Sequence, residues 1–286
     1  MVMTIDARLS DSPFVDQVWQ AHSERSGSFV SIAASFWEMV VTRHPGRTPT
    51  LTVRGPETKA TPLDYPAESL RKPFANWRME VDDAPILRYL YRSVRPKRHL
   101  EFGTWDGTGV CMCAEECDAT VWTINLPEGE TIGGRPAYSS APKEVPSGAS
   151  ALKRGGDGRS VYQTDAGVFI GHRYRSAGFG HRVCQILCDS REWDTSGYPS
   201  DFFDSALIDG GHSPDVVLSD TQKALAVVRP GGLILWHDFC PDPAVFPAMA
   251  SVTGVVGSLT REWRSISRSL SDAFWIRPSF ILAAVR

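Results

Sequence analysis

A chain of 286 residues, 42% hydrophobic and 22% charged, has the composition of a folded globular protein, either one large domain or a domain with an appendage. Its net charge of −3 gives no general attraction to nucleic acid or to an anionic membrane surface, and no apolar run approaches the length of a membrane span. The six cysteines lack zinc-finger spacing and are expected as buried free thiols in a reducing cytoplasm; Met1-Val2-Met3-Thr4-Ile5-Asp6 lacks the basic-then-apolar order of a signal peptide.

The first 70 residues read differently from the rest. Residues 14–21 suggest a short helix, and residues 28–43 are rich in β-branched and aromatic side chains. His44-Pro45-Gly46-Arg47 is a turn signal, and residues 48–54 read as a second strand, giving a hairpin or β-roll fragment. A bare hairpin is marginally stable. It is expected to pack on the main domain, to pack on another copy of the chain in a homo-oligomer, or to be mobile. Residues 55–73, with Pro56, Pro62, Pro66 and Pro73, read as a linker. The expected division is therefore residues 1–70, a β-rich segment with its linker, and residues 71–286, the main domain. In Asp83-Ala84-Pro85 the acid reads as an N-cap and the proline as a first-turn residue, and Ile86, Leu87, Leu90, Tyr91 and Val94 fall on one helical face. Glu80, Asp82 and Asp83 are expected to cap that helix and line a solvated face.

His99-Leu100-Glu101-Phe102-Gly103-Thr104-Trp105-Asp106-Gly107-Thr108-Gly109 reads as a strand, a glycine-rich turn and the start of a helix. Gly103 lets the chain leave the strand in a conformation closed to side chains, and Gly107 and Gly109 let backbone approach a ligand at a helix N-terminus. Residues 119–125 form a second strand ending in Asn125, where this kind of fold commonly holds a ribose by an acid; Glu128 and Glu130 are the nearby acids. Residues 127–160 lack periodicity and read as a lid or a disordered stretch, and residues 161–174 as a loop with a short helix. A third strand, residues 181–187, ends in Cys188-Asp189-Ser190. A fourth runs into Asp209-Gly210-Gly211-His212, and Ser213 reads as the cap of a helix over residues 214–228. Arg229-Pro230-Gly231-Gly232 reads as its stop. Residues 233–238 are a fifth strand ending in His237-Asp238, and a helix (245–259) and a strand pair (273–276, 279–285) follow. Alternating strands and helices closed by a hairpin predict a Rossmann-like, doubly wound α/β sheet with a C-terminal antiparallel hairpin. Ligands bind outside the carboxyl ends of such strands, so Glu101, Asn125, Asp189, Asp209 and Asp238 are expected on one rim.

The Glu-x-Gly-x-x-x-Gly-x-Gly spacing of residues 101–109 resembles the first motif of class I S-adenosylmethionine (SAM) methyltransferases. With Asp189-Ser190, Asp209-x-x-His212 and His237-Asp238 in order, residues 80–286 resemble the branch of macrolide sugar O-methyltransferases and cephalosporin-hydroxylase-like proteins. That resemblance implies SAM as cofactor, with Glu101, Gly103, Thr104, Gly107, Asn125, Asp189, Ser190 and Asp209 around it and the Asp189 carboxylate at the adenine amino group. It implies a magnesium site at Asp209, His237 and Asp238, with His237 standing where some members have Glu. His212, with an ordinary pKa of about 6.5, fits a general base for O-methylation of a small molecule or sugar. A nucleic-acid acceptor is disfavoured by the charge and by the lack of an Asn/Asp-Pro-Pro-Tyr/Phe motif after the fourth strand. The alternative is a regulatory protein that binds SAM or another ligand without turnover, and Asn125 is its main support. Residues 1–60 weakly resemble the start of the sensor domain of AraC-type regulators, through Trp19 to Arg25 and Phe36-Trp37-Glu38-Met39-Val40-Val41-Thr42-Arg43.

Overall fold

The computed structural model describes residues 50–53, 61–64, 79–132, 134–139, 152–154, 160–164, 167–240, 249–275 and 279–286. Its centre is a seven-stranded sheet. We number the strands β1 (Arg98–Phe102), β2 (Thr120–Asn125), β3 (Val183–Leu187), β4 (Phe203–Ile208), β5 (Val228–Trp236), β6 (Asp272–Trp275) and β7 (Leu282–Val285). They lie in the order β3-β2-β1-β4-β5-β7-β6. β1 to β5 are mutually parallel, whereas β7 runs antiparallel to both β5 and β6. The order reverses between β1 and β4, which opens a crevice at their carboxyl ends. This is the expected doubly wound sheet with its terminal hairpin.

The helices are α1 (Met79–Val94), α2 (Thr108–Glu116), α3 (His172–Ser176), α4 (Pro214–Val227) and α5 (Ala250–Ile266). The predicted apolar face of α1 is buried: Ile86, Leu87, Leu90, Tyr91 and Val94 are all in the core. On α5, Val252, Val255, Val256, Leu259, Trp263 and Ile266 recur at helical spacing and are buried. Central strand β4 is buried along its whole length, as a strand covered on both faces must be, while edge strand β3 is half exposed and leaves Leu187 50% exposed. His99 on β1 is buried between Tyr91 of α1 and Ser205 of β4, with its Nδ1 2.8 Å from Ser205 Oγ.

Four local expectations are corrected. Asp83 does not cap α1, which begins four residues earlier; the side chain is buried in the interior. Arg229 to Gly232 do not lie between helix and strand but belong to β5, where Arg286 N donates to Gly232 O and Gly231 N donates to Arg286 O. Residues 127–174, expected as a lid or disordered stretch and then a loop with a short helix, contain a four-stranded sheet made of Tyr138–Ser139, Gly167–Phe169, Ser160–Thr164 and Leu152–Arg154, together with a hairpin of Thr131–Ile132 and Arg135–Pro136. Towards the N-terminus, Thr50–Val53 pairs antiparallel with Thr61–Asp64, so part of the expected linker is a strand. The helix expected at 14–21, the strand at 28–43 and the AraC-like residues lie outside the described residues.

Candidate active site

The strand ends converge on a cavity of about 670 Å³, within the range of small-molecule sites. Glu101, Gly103, Thr104, Asn125, Asp189, Ser190, Asp209, His212, His237 and Asp238 all line it. Of the residues singled out in the sequence, Gly107 stands behind the wall as the N-cap of α2, with φ +90°. Glu128 and Glu130 are exposed and not on it.

The glycine turn is held from several sides. Gly103 has φ +100°, and a Cβ there would lie 2.1 Å from the carbonyl oxygen of Asp209. That close approach lets Asp209 N donate to Phe102 O at 2.9 Å, locking the end of β4 to the end of β1. Trp105 sits at φ +46°, a conformation that strains a bulky side chain. Its N–H donates to Asn125 Oδ1 at 3.0 Å, and Asn125 Nδ2 donates to Leu126 O at 2.7 Å. Asn125 is thus a brace for the turn, and the charge that an acid would bring to a ribose is missing. Thr104 is likewise engaged, with Thr123 Oγ1 and Gln185 Nε2 each 2.8 Å from its hydroxyl. Asp106, which the sequence reading passed over, accepts from Thr108 N and Thr108 Oγ1 and pairs with Arg173 Nε at 2.7 Å, tying the turn to α3.

Glu101 is a poorly compensated group in the cavity. It is 1% exposed, and its Oε2 has no hydrogen-bond partner. Burial, with Asp209 and Asp106 adding to it, pushes its carboxyl well above the ordinary range. A Cβ at position 109 would meet Glu101 Oε1 at 2.7 Å, which explains the third glycine. Across the cavity, Asp189 is bound bidentately by Arg191, with Nε 3.0 Å from Oδ1 and an amino nitrogen 2.6 Å from Oδ2. Arg191 holds that carboxylate below its ordinary range. Lys223 reaches back to the carbonyls of Ser190 and Arg191 and so fixes this loop to α4. Arg191, two residues after a predicted acid, was legible only as a charge.

At the ends of β4 and β5 two histidines and three aspartates form one cluster. His212 Nε2 lies 2.9 Å from Asp238 Oδ2. Burial alone would lower this imidazole; the hydrogen bond and charge of Asp238, with Asp209, outweigh burial and raise it above its ordinary value. Gly254 of α5 supports the backbone here, since a Cβ on it would come within 2.0 Å of His212 O. His237 is 3% exposed. Its Nε2 lies 3.0 Å from Asp83 Oδ2, and its Nδ1 is 3.2 Å from Asp209 Oδ1 and 3.5 Å from Asp238 Oδ2. Burial opposes its charge, but the surrounding carboxylates, Asp209 first, carry it well above the ordinary value. Asp238 has the left-handed φ of +56°.

The ligand atoms of Asp209, His212 and Asp238 all lie within 4.8 Å of one another, and His237 Nδ1 faces two of those carboxylates. That spacing fits a divalent cation. The chemistry of the donor set, carboxylate with imidazole, departs from the oxygen shell that magnesium takes.

Residues 100–239 match a family model described as a methyltransferase domain. A search of curated proteins gives no significant match. Among solved structures, the chain is similar to the O-methyltransferase TomG from Streptomyces achromogenes, involved in tomaymycin synthesis and in complex with SAM, at 18% identity over 72% of this chain and 81% of that one, with a TM-score of 0.43. It is also similar to the O-methyltransferase from Bacillus cereus in complex with SAH, at 16% identity over 77% and 86% of the two chains, with a TM-score of 0.44. The SAH-bound Podospora anserina methyltransferase PaMTH1 shares 14% identity over 77% and 86%, with a TM-score of 0.42. Among the described residues, no helix is long and apolar enough to cross a membrane.

Proposed function

We propose that this chain, whose residues 100–239 match a methyltransferase domain, is a class I SAM-dependent methyltransferase that methylates a hydroxyl oxygen of a small molecule or sugar. The observation that carries the reading is the His212–Asp238 pair, 2.9 Å apart on the wall of the cavity. An imidazole oriented by a carboxylate, with its basicity raised by it, is suited to take a hydroxyl proton near neutral pH.

When bound, SAM supplies a methyl group on a sulfonium centre. Glu101 offers a buried carboxyl with one oxygen unpartnered, and a cationic ligand beside it would favour its ionised form. Asp189 and Ser190 present hydrogen-bonding groups to the adenine side. Asn125 offers the remaining lone pair of its carbonyl to a ribose hydroxyl. His212 would take the acceptor's hydroxyl proton, leaving that oxygen to accept the methyl group that bound SAM would supply. Asp238 holds His212 in place and balances the imidazolium that forms.

The test is His212→Ala, assayed by SAH release with a panel of hydroxylated small molecules and by calorimetric titration with SAM. Turnover is expected to fall by about 100- to 10,000-fold, with SAM affinity preserved. Normal turnover in the variant would reject His212 as the base. Saturable SAM binding by the wild type without SAH release from any hydroxylated acceptor would favour the regulatory reading instead.

A further inference from the structure

In the second turn of α4, Asp220 lines the cavity and is fully buried, and neither of its carboxyl oxygens makes a well-formed hydrogen bond. Gly210 lines the cavity too, and a Cβ on it would lie 3.3 Å from Asp220 Oδ2, so the glycine leaves space beside the carboxyl. The nearby cations are engaged elsewhere. Lys223 gives its ammonium to the carbonyls of Ser190 and Arg191, and Arg191 gives its guanidinium to Asp189 and Asp215. Burial pushes the Asp220 carboxyl up to about 7, against the Ser190 hydroxyl, Lys223 and Arg191, and with the Asp189 charge adding to it. Near neutral pH a large share of this group is therefore the uncharged acid, with one O–H to donate and a carbonyl oxygen to accept. Left unused on a cavity wall, those two capacities suit a ligand that brings an acceptor and a donor side by side.

We propose that Asp220 is a specificity-determining residue for the cofactor, its carboxyl pairing through two hydrogen bonds with the exocyclic amino group of adenine and the ring nitrogen beside it. The inference rests on the SAM reading above and adds to it the group that reads the base. Adenine carries an N–H donor and a ring-nitrogen acceptor side by side on either edge of its amino group, and an uncharged carboxylic acid offers the complementary pair. Asp189 cannot serve the ring nitrogen. Arg191 binds both of its oxygens and keeps it ionised, so it only accepts. Asp220 supplies the missing donor from the helix behind the Asp189-Ser190-Arg191 loop, which Lys223 ties to that same helix.

The experiment titrates the full chain by calorimetry with SAH and with two SAH analogues in which adenine N1 or N7 is replaced by CH. Wild type is expected to bind one of the two analogues about 3- to 10-fold more weakly than SAH, the loss of one hydrogen bond. Asp220→Leu keeps the volume and removes both polar atoms. It is expected to bind SAH about 10-fold or more weakly and to show no penalty for that analogue, because a direct contact makes the two changes non-additive. Asp220→Asn keeps a donor and an acceptor and is expected to bind SAH within about threefold of wild type, with the analogue penalty intact. A residue that only supports the fold would weaken SAH and analogue alike; an unchanged penalty in Asp220→Leu would therefore overturn the inference. Wild-type binding of both analogues as tight as SAH, or a loss of about 10-fold or more in Asp220→Asn, would also overturn it. If Asp220→Leu fails to fold, the wild-type and Asp220→Asn titrations decide. SAH binding without these differences sinks the role of Asp220 alone, whereas no binding of SAM or SAH by wild type sinks the cofactor reading and this inference with it.

Discussion

Replacing Glu101 by Gln is expected to stabilise the protein and weaken its hold on SAM. Glu101 Oε2 is buried with no partner, and the nearest charged neighbours, Asp209 and Asp106, repel it. An unsatisfied buried polar group costs about 1 to 3 kcal/mol, more when charged. Gln keeps the shape, so the contact with Gly109 survives and no cavity opens. Gln leaves an amide just as unpartnered, so the ligand-free variant gains only what the raised carboxyl costs the wild type at neutral pH, about 1 to 3 kcal/mol, seen as a rise of roughly 2 to 4 °C in melting temperature for each kcal/mol. Because the folded-state pKa is raised, the wild type is penalised only once its carboxyl would ionise in the unfolded chain. The gap between the two proteins should be small below the ordinary value of 4.5 and open as pH rises above it. SAM affinity should fall by about 10- to 100-fold, the loss of one charge-assisted contact. Thermal melts across pH and calorimetry with SAM read both effects. A variant that melts lower than wild type at neutral pH and binds SAM as tightly would refute the reasoning.

Gly103→Ala should lose more than about 3 kcal/mol, because strain at positive φ adds to a collision with Asp209 O that only a shift of β4 relieves; a soluble variant with wild-type melting would count against the packing described. His99, buried and pushed down to about 3 by desolvation, stays neutral when folded. Stability should therefore be lost as pH falls from about 6.5 towards 3, by roughly 2 kcal/mol at pH 5; denaturant melts of wild type and His99→Gln check it, and an equal acid slope in the variant would exclude His99 as the cause. A chain lacking residues 1–70 should keep its SAM affinity within about twofold, since none of the described residues among them lines the cavity; an insoluble product would move the domain boundary.

The sheet was legible because every core strand ends in a turn signal, and Glu101, Asn125, Asp189, Asp209 and Asp238 mark those ends with polar groups on one rim. What stayed hidden depended on partners distant in sequence. Asp83-Ala84-Pro85 carries the local signature of a helix start, yet the helix begins at Met79, and the acid turns inward to a histidine 154 positions away. Asn125 sits where an acid was sought, but no local pattern could say that its carbonyl holds the N–H of Trp105. Arg229-Pro230-Gly231-Gly232 has the composition of a stop, and only pairing with the C-terminal residue makes it strand. The small sheet between residues 138 and 169 is built from strands of two to five residues, too short for periodicity to register.

The cluster around His237 also bears on what the minimal working unit is. The matched segment, residues 100–239, contains Asp209, His212, His237 and Asp238. Their placement, however, is fixed from outside it. Asp83 comes from α1, and its second partner, Phe280 N, comes from the segment before β7. Phe239 N donates to Phe280 O at 3.0 Å, so the chain just after Asp238 is held by the same segment. Gly254 of α5 sets the backbone of His212. A fragment trimmed to the matched residues would keep the glycine turn and Glu101 but leave His237 and Asp238 without α1, α5 and the C-terminal hairpin. The glycine-turn wall and the histidine–aspartate cluster are thus built from different parts of the chain. The first is local to β1, β2 and β3; the second requires elements nearly 200 residues apart to meet at the end of β5.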